Sequence, residues 1–436
     1  MRVAMMTAGS RGDVAPFTGL SAGLVRAGHD VTLVTHDMFE PLTRGSGVRF
    51  HPLPVDPRAE LHSERGQGLH RSGTGVGKLL RAMSMGRAVV GQFTDSLIEV
   101  AEDSDVLVLA GVVAPLGCSV AEGLKLPSVG VNLQPMHATR AFAPPLATVR
   151  SLGPVGNRLA GYAVSALIEQ IFTRAAREAR ERLRLPPLGV GAARRARERQ
   201  GWPVLYGFSP QVVARPADWR PGLDVVGYWW PHDVQDQLPA ELEDFLAAGP
   251  APVYVGLGSA TVPDPARLCG QVVSALRAAG LRGVIQRGWA GLSATGDDML
   301  TIDDVPHRLL FPRTAAVVHH CGAGTTAAGL RAGVPAVPVP VQFDEMFWAD
   351  RLTALGTAPY PLPLRRLTTQ RLTDALIRAT GDPGHRERAP CGRPPGRRGR
   401  RRSCTGPAPA HRERRARRPR PLSRAPEDRP LDLKQT

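Results

Sequence analysis

The stretch AAVVHHCGAGTTAAGLRAGVPAVPVPVQFDEMFWAD, Ala315 to Asp350, decides the fold. A short apolar run, Ala315 to Val318, meets two histidines; Gly322, Gly324 and two threonines then open a helical pattern that stops at Gly333. The order is strand, tight glycine turn, helix N-terminus. Glycines let the backbone pass close to a ligand, and the unpaired N–H groups and dipole of a helix N-terminus favour an anion, so the expected ligand is a phosphate. A second apolar run, Val334 to Val341, delivers Asp344 and Glu345 at its carboxyl end, where open α/β sheets place their ligands. Phosphate donors followed by paired carboxylates are what a sugar nucleotide requires.

The chain of 436 residues exceeds one ordinary core and predicts two domains of roughly 200 residues. Short β-branched runs alternate with Ala/Leu-rich helical patterns, which predicts parallel α/β units. No run of about 18 apolar residues occurs, so no membrane span is expected. The opening MRVAMMTAGS enters a strand directly, without the charged region and apolar core of a signal peptide, and a cytoplasmic location is expected. Five cysteines (Cys118, Cys269, Cys321, Cys391, Cys404) form an odd, scattered set without CxxC spacing, so reduced thiols and no structural zinc are expected. The net charge of +16 invites a nucleic-acid reading, but from Pro383 onward there are 17 Lys and Arg against 5 Asp and Glu, and the body is nearly balanced. A nucleic acid would have to be held by that segment, with an affinity falling steeply with salt. No aromatic residue is interleaved there for base stacking, so no nucleic-acid partner is expected.

Val3 to Thr7 predicts a first strand, PFTGLSAGLVRAGH a helix closed by Gly28, and Val31 to Thr35 and Val48 to Leu53 the next strands. Asp56 to Arg81, rich in Gly, Ser and His, reads as a mobile loop before a helix from about Gly77 to Ala101. Asp105 to Gly111 and Pro127 to Leu133 are strands flanking a helix to Leu124. Pro135 to Leu152 is apolar and irregular, either a cover for the core or the wall of a pocket for a greasy ligand. A helical stretch, Asn157 to Leu183, precedes Pro203 to Ser209, read as the last strand of the first half. The second half restarts with strand Val253 to Leu257, helix Pro265 to Ala279, and strands Gly283 to Gln286 and Met299 to Ile302. These signals predict a first domain over 1–214, a linker over 215–240 crowded with prolines and aromatics, a second domain over 241–382, and an Arg/Pro-rich disordered tail over 383–436. The tail's abrupt onset suggests a frameshifted C-terminus, which translation of the other two frames would expose as a helical continuation.

Gly9-Ser10-Arg11-Gly12-Asp13-Val14 with Pro16, together with HHCGAGTT and PVPVQFDEMFWA, resembles the two-domain GT-B glycosyltransferases of family 1, most nearly the bacterial glycopeptide and macrolide enzymes and the sterol glucosyltransferases. The resemblance runs from Met1 to about Arg388. It implies two Rossmann-like β/α/β domains facing each other across a cleft, with a UDP- or dTDP-sugar on the second and a hydrophobic acceptor (antibiotic, polyketide or sterol-like) in the first. It implies an inverting hexosyltransferase. By this resemblance Asp13 is the base that deprotonates the acceptor hydroxyl, and Arg11 and Gly12 face the donor. The residues alone leave another use open, since Asp at this position commonly caps a helix.

The resemblance likewise makes His320 the donor to the diphosphate, with backbone N–H groups of Ala323, Gly324 and Thr325 beside it. These groups do the electrostatic work a metal would otherwise do, so no metal is expected. His319 reads as a core histidine and Cys321 as a small packing residue. Asp344 and Glu345 resemble the pair that holds sugar hydroxyls, each carboxylate accepting in a fixed plane; a helix N-cap is the other reading of Asp344. Ser259 resembles the phosphate-contacting serine, or is a plain turn residue. Where plant members carry a tryptophan that stacks on uracil, this chain has Asp304-Val305-Pro306-His307, and backbone groups of Val305 and His307 are expected to read the base. A competing expectation keeps the fold without the chemistry: a silent homologue acting as an auxiliary partner, its C-terminal bracing helix lost to the tail.

Overall fold

In this computed structural model, residues 1–62, 89–147 and 151–388 are described. Among the described residues twelve strands form two sheets, all of whose pairings are parallel. The first contains β1 (Arg2–Met6), β2 (Asp30–His36), β3 (Arg49–Leu53), β4 (Val106–Ala110), β5 (Ser128–Asn132), β6 (Val204–Tyr206) and β7 (Leu223–Val225), in the order β3-β2-β1-β4-β5-β6-β7. The second contains β8 (Val253–Gly256), β9 (Gly283–Gln286), β10 (Met299–Ile302), β11 (Ala316–His319) and β12 (Ala336–Pro338), in the order β10-β9-β8-β11-β12. In each, the strand order reverses beside the first strand: between β1 and β4, and between β8 and β11. Such a switch point leaves a crevice at the carboxyl ends of the strands. These are the two Rossmann-like sheets the resemblance implied.

The strands are short, nearly continuous apolar runs because helices cover both faces. Ala4, Met5 and Met6 on β1 and Val253, Tyr254 and Val255 on β8 are almost wholly buried. Each sheet thus has its own core. A third cluster joins the halves: Tyr206, Phe208 and Trp219 of the first pack with Cys321, Trp348 and Leu352 of the second, and the Phe208 and Trp348 rings meet edge-on at 6.0 Å.

Several elements depart from their expected bounds. The first helix spans Arg11–Arg26, beginning five residues before Pro16. Pro16 suggests a first helical position, but Ser10 and Asp13 form the S-x-x-D start signal and win. Asp13 therefore stands on the first helical turn, beyond the strand-to-helix loop. Pro203 to Ser209 does not hold the last strand of the first half: β7 follows and pairs with β6 at Val204↔Leu223, so the stretch read as a 215–240 linker contributes a strand to the first sheet. Three residues between prolines and aromatics are too few for a period to show. Of the second apolar run, only Ala336–Pro338 pairs as β12, because Pro338 and Pro340 offer no N–H to a ladder.

The stretch Asn157 to Leu183 divides into helices Gly153–Glu169 and Thr173–Arg182 about a 3-10 turn. At the far end, helix Thr369–Gly381 is followed by a further helical turn, Pro383–Arg388, inside the segment read as tail. His385 Nδ1 lies 2.7 Å from the Gly356 carbonyl and Arg386 donates to the carbonyls of Thr314 and Ala315, so packing holds it. The expectations for 63–81, for the helix before residue 89, and for a disordered or frameshifted tail beyond Arg388 lie outside the described residues. Among the described residues, no helix is long and apolar enough to cross a membrane.

Candidate active site

Both switch points open on one cleft of about 2030 Å³, and all thirteen residues singled out above line it: Arg11, Gly12 and Asp13 from the first half, Ser259, Val305, His307, His320, Gly322, Ala323, Gly324, Thr325, Asp344 and Glu345 from the second.

The first half contributes the turn after β1. Asp13 Oδ2 accepts from Ser10 N (2.8 Å) and Ser10 Oγ (2.9 Å), so the cap that begins the helix also fixes the carboxylate. Burial raises its pKa above the usual carboxylate range, opposed by the Ser10 donors. Gly9 has φ +130°, and a Cβ there would stand 2.5 Å from Asp13 Oδ2; only glycine lets the chain pass this close. Gly9 N donates to His36 Nε2 (2.9 Å) at the end of β2, which leaves Nδ1 to donate to the Val55 carbonyl (2.7 Å). His36 thereby clamps the turn. The sequence reading ended that strand at Thr35 and missed it, although a histidine closing an apolar run beside the turn's own strand was a usable signal.

The second half contributes the turn after β11. His319 sits in the sheet, opposite Gly256, and is 1% exposed. Its Nδ1 accepts from Cys321 N (3.1 Å), and burial lowers its pKa to about 3, so it is the core histidine expected. Cys321 is fully buried in the joining cluster with φ +69°, a left-handed kink that turns the chain. That kink lets His320 project into the cleft. Burial lowers the His320 pKa to about 4, leaving a neutral imidazole near pH 7. A Cβ at Gly258 or Gly322 would lie 2.8 or 2.5 Å from the His320 ring, so two glycines make the slot that holds it. Helix Ala323–Ala332 then begins, capped at its end by Gly333 with φ +71°. Its first i to i−4 bond is Thr326 N to the Gly322 carbonyl (3.0 Å), and the amides of Ala323, Gly324 and Thr325 precede it.

Asp344 occupies the N-cap of helix Glu345–Ala354, but its side chain makes no capping bond; Oδ2 accepts from Trp348 Nε1 (2.7 Å). Burial pushes its pKa up to about 6, against the Trp348 donor, and the charge of Asp13 pushes the same way. The charge of Asp13 thus reaches Asp344 from the other half of the cleft. Glu345 turns back on its loop, Oε2 accepting from the amides of Val341 and Gln342 (2.5 and 2.7 Å). His307 begins a helical turn and stacks on Phe311 at 4.3 Å; burial lowers its pKa to about 3, with the charge of Arg11 contributing. Gln286, which no spacing signal marked, lines the same pocket and bridges Tyr254 to Asp304.

The first half's portion of the cleft is largely apolar, with Phe17, Met38, Phe39, Val90, Phe93, Leu146 and Ile168 on its wall. The stretch from Pro135 reaches both the cleft and the joining cluster. Met136 and Leu146 line the cleft, while Phe142 packs on Phe347 of the second half at 5.3 Å with Arg351 over both rings.

This geometry has relatives. The Glycosyltransferase family 28 N-terminal domain matches residues 3–143, and the Erythromycin biosynthesis protein CIII-like C-terminal domain matches residues 283–392. The O-mycaminosyltylonolide 6-deoxyallosyltransferase of Streptomyces fradiae is 36% identical over 394 residues, covering 89% of this chain and 92% of that protein. The chain belongs to the GT-B glycosyltransferases. Sterol 3-beta-glucosyltransferase UGT80A2 of Arabidopsis thaliana, in the same family, is 34% identical across 86% of this chain, which spans 60% of that longer protein. Solved GT-B structures share the fold: the glycosyltransferase SnogD from Streptomyces nogalater has a TM-score of 0.59 at 22% identity, covering 89% of this chain and 92% of its own. The glycosyltransferase VinC in complex with dTDP also has a TM-score of 0.59, at 19% identity, with 89% and 93% covered.

Proposed function

We propose that the protein is an inverting glycosyltransferase that moves a hexose from a UDP- or dTDP-sugar to a hydroxyl of a hydrophobic small molecule of antibiotic, polyketide or sterol type. The observation that carries this reading is the pairing of a buried, Ser10-held carboxylate on one side of the cleft with a buried histidine and a helix N-terminus on the other. The acceptor lies against the apolar wall of the first half. Its hydroxyl gives its proton to the Asp13 carboxylate as the oxygen attacks the anomeric carbon from the face opposite the diphosphate. The carbon–oxygen bond to the diphosphate breaks, and His320 N–H with the amides of Ala323, Gly324 and Thr325 receives the charge that develops there. Ser259 adds a phosphate contact, Val305 and His307 bound the base, and Asp344 with Glu345 holds sugar hydroxyls. An α-linked donor then yields a β-glycoside.

The test is a panel of UDP- and dTDP-hexoses with apolar aglycones, followed by product mass and anomeric configuration. The expected product is one hexose heavier than its aglycone and β-linked. An α-linked product would overturn the inverting mechanism, and a panel without transfer would overturn the enzyme reading.

The facing carboxylates give this reaction a pH signature. Two like charges raise each other's apparent pKa, and the values belong to the pair. A base with a raised pKa loses activity as pH falls through that value. Asp344→Asn removes one of the two charges, so the acid limb of the kcat profile is expected to move to lower pH. A limb that stays in place or moves upward would show that Asp13 titrates without sensing Asp344.

A further inference from the structure

We propose that Arg11 and Asp304 form a latch across the cleft, setting the Asp13 turn against the nucleotide pocket, and so act as positioning residues for the transfer reading on which this inference rests. Arg11 is the first residue of helix Arg11–Arg26, two positions before Asp13, and its Nη1 lies 3.5 Å from Asp304 Oδ2 in the other half. Asp304 is itself tied down: its Oδ1 accepts from Gln286 Nε2 (2.7 Å), and Gln286 Oε1 accepts from the buried Tyr254 hydroxyl (2.7 Å). Tyr254 is on β8 and Gln286 ends β9, so the latch on this side is anchored in the sheet. The neighbouring acid Asp303 pairs with Arg287 (3.0 Å). Asp304 is thus the acid turned towards Arg11.

The pair is weak as a source of stability, with side chains 44% and 55% exposed, and exposed ion pairs add little. Its value lies in where it acts. The helix whose first turn carries Asp13 is pinned at its first residue to the floor of the opposite pocket, so the position of the base follows the position of β8 and β9. A displacement of about 1 Å in a reacting group can lower a rate by as much as about 10²-fold. Direct contact between Arg11 and the donor phosphates is the competing role, and it makes no use of Asp304.

The experiment compares wild type with Arg11→Ala, Asp304→Asn, the double variant, and the charge-swapped pair Arg11→Asp with Asp304→Arg. Asp304→Asn keeps an oxygen for Gln286 while replacing the charged Oδ2 that faces Arg11 with an amide NH2. A latch predicts that each single change lowers kcat by about 2- to 5-fold with the donor KM little altered, that the double variant is no worse than the poorer single, and that the swapped pair recovers activity. Additive losses, or a swapped pair as slow as the double variant, would overturn it. A second arm requires no turnover: in Asp304→Asn, backbone amides of residues 10–14 should exchange hydrogen faster than in wild type, although the substitution lies in the other half. Unchanged exchange there would also overturn the latch, even for a protein that transfers no sugar.

Discussion

Asp13→Asn is expected to lower kcat by about 10²–10⁴-fold, the usual contribution of a general base, while nucleoside diphosphate binding measured by calorimetry stays at the wild-type value. Asparagine keeps the shape of the side chain and an oxygen to accept from Ser10 N and Oγ, so the start of helix Arg11–Arg26 survives. His320 and the N-terminus of helix Ala323–Ala332, on the opposite side of the cleft, are untouched. The variant loses only the capacity to take a proton. This separates the proposed base role from capping by the same carboxylate. Transfer at the wild-type rate would leave Asp13 as a capping residue and send the search for a base elsewhere in the cleft.

The second large effect comes from two glycines. His320→Ala is expected to reduce kcat by about 10²–10³-fold, as removal of one donor to a developing anion does. Gly322→Ala should approach that loss with every functional group retained, because its Cβ would stand 2.5 Å from His320 Nε2 and the ring must leave its slot. Gly258→Ala carries the same clash at 2.8 Å and adds strain at φ +56°. Steady-state kinetics with varied donor settles the matter: a Gly322→Ala enzyme as fast as wild type would mean that the placement of His320 does not govern the rate. Far-ultraviolet circular dichroism on the same samples separates this effect from unfolding.

The glycine turn after β11 was legible because its geometry is written locally. A strand, a glycine turn and a helix stop at Gly333 lie within twenty residues, and the structure holds each of them. The parallel α/β class followed from periodicity for the same reason. What the sequence hid depends on contacts between distant residues. β7 is three residues long and exists because Tyr206 and Leu205 offer it a free edge. His36 reaches the Asp13 turn through the neighbouring strand, and Gln286 is aligned by Tyr254, thirty-two residues before it in the chain. The early start of the first helix was legible in principle, since Ser10 and Asp13 have the spacing of a start signal, but Pro16 was the louder cue. The cross-cleft interaction of Asp13 with Asp344 has no local trace at all.

The connection between the halves has a bearing on chimaera design. Trp229 packs on Phe17 at 5.6 Å, a Cβ at Gly19 would collide with the Trp230 carbonyl, and His232 N donates to Thr18 Oγ1 at 2.9 Å, so the chain as far as His232 is fastened to the first half. The next residue, Asp233, pairs with Arg308 of the second half at 3.2 Å, and the Gln235 carbonyl accepts from the same guanidinium. The chain therefore changes partners over residues 230–235, where Trp230 also lies under Arg331 of the second half at 4.3 Å and Val234 stays beside Gly45 of the first. A hybrid spliced near residue 215 would tear β7 from its sheet, whereas one spliced between His232 and Asp233 would keep β7 and the Phe17, Gly19 and Thr18 contacts with the first half. Exchange of sugar specificity between family members by swapping whole halves should begin at that bond.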